Sequence, residues 1–152
     1  MKKTLLTALL MMTVMLAGAQ SMNPVQFKAE LKKISATEAE IVFTGKIAQG
    51  WHVYSTNLGN EGPISATFNV DKKDGVVLVG TLKGVGKEIN KFDQLFGMQL
   101  RFFENDVQFV QKVKLTKKAF AISGYLEYGA CNDESCLPPA QVPFNYKAEA
   151  GK

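Results

Sequence analysis

Apolar and polar residues alternate with a period of two along most of this chain. Val25, Phe27, Ala29 and Leu31 are interleaved with Gln26, Lys28, Glu30 and Lys32, and Ile41, Phe43 and Ile47 line one face of the next segment. Successive side chains of a strand point to opposite faces of a sheet, so the pattern predicts strands with one face buried. Ile64, Ala66, Phe68 and Val70 repeat it, and after Asp71-Lys72-Lys73-Asp74-Gly75 come Val76, Leu78 and Leu82, which reads as a hairpin. Met98, Leu100 and Phe102 continue the series, followed by Val107, Phe109, Val113 and Leu115 and then by Phe120, Ile122, Leu126 and Tyr128. A last short strand covers Gln141 to Lys147.

No window sustains a helical period, and turn signals break the chain every ~8 to 12 residues, the spacing of a sandwich or barrel. The expected fold is all-β, an immunoglobulin-like antiparallel β-sandwich of about eight or nine strands. Two stretches depart from the pattern. Trp51-His52-Val53-Tyr54-Ser55 reads as a short strand running into the long loop Asn57-Leu58-Gly59-Asn60-Glu61-Gly62-Pro63. Gly84 to Gly97, "GVGKEINKFDQLFG", reads as a polar loop, yet it holds Phe92, Leu95 and Phe96. Apolar residues in such a loop are expected to cover something.

The N-terminus sets the compartment. Met1-Lys2-Lys3 is a short basic region, Thr4 to Ala17 carries no charge, and Ala17-Gly18-Ala19 is a small-x-small cleavage site before Gln20. Residues 1–19 read as a secretory signal peptide, because the uncharged run is shorter than the roughly 20 residues needed to span a membrane. A periplasmic protein of one domain, residues 20–152, is expected, with no membrane insertion of the mature chain. The net charge of +4 includes Lys2 and Lys3, so residues 20–152 carry +2, which points to neither nucleic acid nor an anionic membrane surface.

Exported chains hold their cysteines in an oxidising compartment, and "YGACNDESCLPP" contains the only two, Cys131 and Cys136. Three uses are open. As a staple the pair is weakly placed, since the chain-entropy gain from so short a loop is about 2 kcal/mol, against roughly 4.7 for a ~100-residue loop. As a redox couple it is better placed, because Asn132-Asp133-Glu134-Ser135 keeps the loop polar and reachable by a partner thiolate. As metal ligands, Cys131, Cys136, Asp133, Glu134 and the single His52 lack the usual spacing of four Cys or His. No metal or cofactor is expected. Covalent haem attachment would need Cys-x-x-Cys-His, and a hydrolase would need a nucleophile elbow; neither occurs.

"GYLEYGACNDESCLPP", taken with "GWHVYS" and "FDQLFG" upstream, resembles the N-terminal periplasmic domain of the DsbD family of thiol:disulfide interchange proteins, over about residues 22 to 147. The resemblance implies an immunoglobulin-like fold with a capped, redox-active cysteine pair. It implies electrons received from a thioredoxin-like or membrane thiol reductase and passed to periplasmic disulfide proteins, such as disulfide isomerases or cytochrome c maturation proteins. By position, Cys136 would form mixed disulfides with partners and Cys131 would resolve them. His52 and Tyr54 would line the site, and Asp93, Leu95 and Phe96 would take cap positions.

Three departures from the family pattern stand out: four residues rather than five between the cysteines, Leu95 in place of a cap aromatic, and His52 in place of an aromatic hydroxyl. The family's membrane and thioredoxin-like domains are not in this sequence, so for a full-length chain the reductant is expected on a separate protein, and a stand-alone relative with another partner is the other expectation. The alternative function is a non-catalytic immunoglobulin-like binding module whose disulfide merely closes a loop.

Overall fold

The computed structural model describes residues 23–149; the expected signal peptide, residues 1–19, lies outside them. Eleven strands occur among the described residues: β1 Val25–Lys33, β2 Glu38–Ile47, β3 His52–Tyr54, β4 Thr67–Asp74, β5 Val76–Val85, β6 Glu88–Asp93, β7 Met98–Phe103, β8 Asp106–Leu115, β9 Phe120–Tyr128, β10 Ala130–Cys131 and β11 Ala140–Ala148. No helix among them is long and apolar enough to cross a membrane.

Two sheets form the sandwich, one in the order β1-β2-β8-β5 and one in the order β11-β9-β4, with every pairing antiparallel. The period-two residues make the contact between them. Phe27 of the first sheet lies 4.7 Å, centroid to centroid, from Tyr128 of the second, and Phe43 lies 5.8 Å from Phe144. Phe144 in turn stacks on Phe68 at 5.0 Å. Such aromatic contacts add to the large apolar area each ring removes from water. A third sheet, β10-β3-β7-β6, holds its own small core of Tyr54, Leu100, Phe102 and Cys131. The immunoglobulin-like sandwich is thus the platform for a separate small sheet that carries Cys131 at one edge, in β10, and Glu88–Asp93 at the other, in β6.

Three expectations about local elements are corrected. Asp71-Lys72-Lys73-Asp74 is not the turn of a hairpin: it continues β4, where Lys72, Lys73 and Asp74 pair with Ser123, Ile122 and Ala121 of β9. These charges are tolerated because β4 is an edge strand whose side chains reach water. The corner is Gly75 alone, at φ +67°, where an added Cβ would meet Lys117 Cβ at 2.9 Å, and there the chain passes from one sheet to the other. Ile64 precedes β4 and is exposed rather than part of its buried face. The supposed loop from Gly84 to Gly97 contains β6, which pairs with β7 from Glu88↔Phe103 to Asp93↔Met98. Lys91 stays exposed between the inward-turned Ile89 and Asp93, so the alternation that would reveal a strand is missing.

Candidate functional site

Cys131 ends β10, which pairs with β3 so that Cys131 stands opposite His52. Cys131 and Cys136 are joined by a disulfide, with Cα atoms 4.0 Å apart. On either side of this pair the Asn132 N–H donates to Ser135 O and the Leu137 N–H donates to Ala130 O, both at 2.9 Å. The cysteines therefore occupy a non-hydrogen-bonded position of a small antiparallel hairpin, the position at which opposed Cα atoms come closest. Asn132 Oδ1 accepts the N–H groups of Glu134 at 2.9 Å and Ser135 at 2.7 Å, so the side chain organises the turn. The four-residue gap has a simple meaning: Asn132 and Ser135 form one hydrogen-bonded rung, and Asp133-Glu134 is the two-residue turn.

The two sulfurs are not equivalent. Cys131 is 2% exposed and belongs to the small core with Tyr54, whereas Cys136 is exposed at the surface.

The sequence places His52 and Tyr54 two apart on one strand, hence on one face. The Tyr54 hydroxyl donates to Asp93 Oδ2 at 2.6 Å, and His52 Nε2 lies 3.1 Å from the Tyr54 oxygen. Because the tyrosine hydrogen is committed to Asp93, its oxygen accepts from Nε2–H, and Nδ1 keeps the imidazole lone pair. Asp93 Oδ1 accepts the N–H groups of Leu95 at 2.9 Å and Phe96 at 3.2 Å, and the turn closes with the Gly97 N–H on Asp93 O at 2.8 Å. Gly97, at φ +65°, supplies the left-handed geometry that ends the turn. One carboxylate thus joins the strand opposite Cys131 to the backbone of the turn that follows β6.

Burial holds the His52 imidazole below its usual pKa, partly offset by the carboxylates of Asp93, Glu104 and Asp133. The Tyr54 phenol is pushed well above its ordinary range, by burial first and then by the Asp93 carboxylate it donates to. At neutral pH the histidine is neutral and the phenol protonated.

His52, Tyr54, Asp93, Phe96 and Cys131 are brought together, with the Phe96 ring edge-on to Tyr54 at 6.0 Å. Leu95 is 45% exposed and Phe92 55% exposed, so of the three apolar residues in this segment Phe96 is the one seated on Tyr54. Leu95 instead borders a cleft of about 270 Å³ between the turn after β6 and the cysteine hairpin, whose other walls include His52, Phe102, Glu104 and Asp133.

The sequence pattern carries no signal for a site role at Phe102 or Glu104. Phe102 reads as one more core position of β7, yet its ring lies 4.6 Å from that of His52. Arg101 is the only arginine in a chain otherwise rich in lysine. Its guanidinium reaches Glu88 Oε1 at 3.2 Å and the Thr56 carbonyl at 2.6 Å, while Glu88 also accepts the Ser55 hydroxyl. That fork ties the segment after β3 to β6 and β7.

A family model described as the N-terminal domain of the thiol:disulfide interchange protein DsbD matches residues 19–147. No curated protein matches the chain. Similar solved structures include the N-terminal periplasmic domain of ScsB from Proteus mirabilis, 14% identical with a TM-score of 0.57, where the match covers 85% of this chain and 47% of that one. They also include the reduced N-terminal domain of DsbD from Neisseria meningitidis, 18% identical with a TM-score of 0.44, covering 81% of this chain and 90% of that one. The likeness to the ScsB domain is one of fold, and the chain spans less than half the length of that relative.

Proposed function

The chain belongs to the DsbD N-terminal family, a thiol:disulfide interchange domain, and from that premise we propose that it relays electron pairs in the periplasm through Cys131 and Cys136. A donor thiolate attacks the Cys136 sulfur, and the electron pair of the broken disulfide leaves on Cys131. A second donor thiol then attacks the mixed disulfide and frees Cys136 as a thiolate. In the delivery half, Cys136 attacks the disulfide of an acceptor, and Cys131 attacks Cys136 to release the acceptor as a dithiol. The donor is a thioredoxin-like or membrane thiol reductase, and the acceptors are periplasmic disulfide proteins, cytochrome c maturation proteins among them. Residues 1–19 direct export and are removed, leaving residues 20–152 as a single domain.

The observation that carries this reading is the unequal exposure within one disulfide: Cys136 is at the surface and Cys131 is buried beside His52 and Tyr54. A loop-closing staple has no need of that asymmetry, whereas ordered exchange does. His52 and Tyr54 line the site, and Asp93, Leu95 and Phe96 form its cap.

Equilibration with glutathione tests the reading, since a potential far below about −300 mV is that of a resistant structural bridge and would exclude a relay. The assignment of the two cysteines is read from trapping. Cys131→Ser is expected to accumulate a mixed disulfide with a partner and Cys136→Ser is not; the reverse result exchanges the roles.

A further inference from the structure

The exchange steps require that Cys131, a buried thiol in the reduced protein, become a thiolate when it resolves the mixed disulfide at Cys136. A thiolate in apolar surroundings is disfavoured, so a base must stand near that sulfur. Register supplies one. Cys131 and His52 are direct partners across β10 and β3, and directly opposed residues carry their side chains on one face with Cβ atoms about 4.5–5.5 Å apart. His52 is itself buried, 8% exposed.

The hydrogen bonds select the atom. Tyr54 is excluded as a base because its hydroxyl is protonated and donates to Asp93. His52 Nε2–H is held by the Tyr54 oxygen, which leaves Nδ1 as the lone pair. Among the described residues Nδ1 has no hydrogen-bond partner, and the imidazole borders the open cleft.

We propose, resting on the exchange reading above, that His52 is the general base that takes the thiol proton of Cys131 during resolution. The Cys131 S–H proton passes to Nδ1, the sulfur attacks Cys136 Sγ, and the bond between Cys136 and the partner's sulfur breaks. The electron pair leaves on the partner's sulfur, which is reduced while the two cysteines are oxidised. The imidazolium then returns its proton to that thiolate or to water.

The charges facing His52 support the transient cation. Asp93 Oδ2 from β6 is 3.8 Å from Nε2, Glu104 follows β7, and Asp133 comes from the cysteine hairpin. Lys91 of β6 is the cation lining the same cleft. Burial keeps the ring neutral at rest, hence ready to accept a proton.

Stopped-flow reaction of the reduced protein with dithiobis-nitrobenzoate separates the steps. One thionitrobenzoate is released as Cys136 attacks, and a second as Cys131 resolves the adduct. The second phase is expected to rise with pH through the ionisation of His52. His52→Gln and His52→Tyr, the latter keeping an aromatic ring against Phe102, should slow it by roughly 10²-fold relative to the first phase and leave the pH dependence of the thiol alone. Added imidazole should restore the second phase in His52→Ala. A second phase that keeps its speed and pH profile in the Gln and Tyr variants overturns the proposal, and so does equal slowing of both phases. Release of no thionitrobenzoate by the unsubstituted reduced protein would instead remove the exchange reading itself.

Discussion

Tyr54 and Asp93, separated by 39 positions in sequence, share a 2.6 Å hydrogen bond that links the strand opposite Cys131 to the turn that follows β6. Asp93 spends its other oxygen on the N–H groups of Leu95 and Phe96. The state of this one contact is felt at both ends.

Tyr54→Phe removes the hydroxyl and leaves the Asp93 carboxylate and His52 Nε2 short of a partner in a buried place. Loss of a buried partner costs about 1–3 kcal/mol. Urea unfolding is expected to show a loss of that size, accompanied by faster hydrogen exchange at the amides of Leu95 and Phe96. Unchanged exchange at those amides would mean that the cap turn holds itself.

The two apolar side chains of the proposed cap should differ in effect. Phe96 packs edge-on against Tyr54, whereas Leu95 stands at the rim of the cleft. Phe96→Ala is expected to speed alkylation of the reduced cysteines by iodoacetamide several-fold, and Leu95→Ala to do so weakly. Equal rates in both variants and the parent would show that the cap shields neither sulfur.

Asn132 concerns the cysteine gap directly. Its carboxamide oxygen organises the turn that keeps Cys131 and Cys136 opposed, so Asn132→Ala should weaken the disulfide relative to the dithiol. The loss of these bonds in an exposed turn is about 1 kcal/mol, which for a two-electron couple raises the reduction potential by roughly 20 mV. Equilibration with glutathione measures it; a lower potential would contradict the role given to the turn.

His52 also sets a pH dependence of stability. Its pKa is lower in the folded protein than the ordinary 6.5, so as pH falls below that value the unfolded chain takes up a proton before the folded one does. Stability is therefore expected to decrease on acidification from pH 6.5 and to level off below the folded pKa. His52→Gln should remove this component of the slope, as followed by thermal unfolding across pH 5 to 7. A slope that survives unaltered belongs to other groups.

Much of the fold was legible because its information is local. The face of β1 that carries Val25, Phe27, Ala29 and Leu31 turns inward as its alternation implies, and so do Phe120, Ile122, Leu126 and Tyr128 of β9. Where the reading failed, the missing information was not local. Asp71 to Asp74 has the composition of a turn, but as an edge strand it is stabilised by pairing with β9, a segment nearly fifty residues away. β6 has no alternation because it lies at the edge of a small sheet and buries little more than Ile89 and Asp93.

Strand periodicity, the inward faces of the sandwich and the family motif around the cysteines are written into local order, because side-chain alternation and motif spacing are properties of neighbouring residues. Tertiary structure decided that His52 stands opposite Cys131, that Tyr54 binds Asp93, and that Cys131 is buried while Cys136 is exposed. Those relationships arise from strand register and long-range hydrogen bonds, and no local pattern specifies which distant segments will pair.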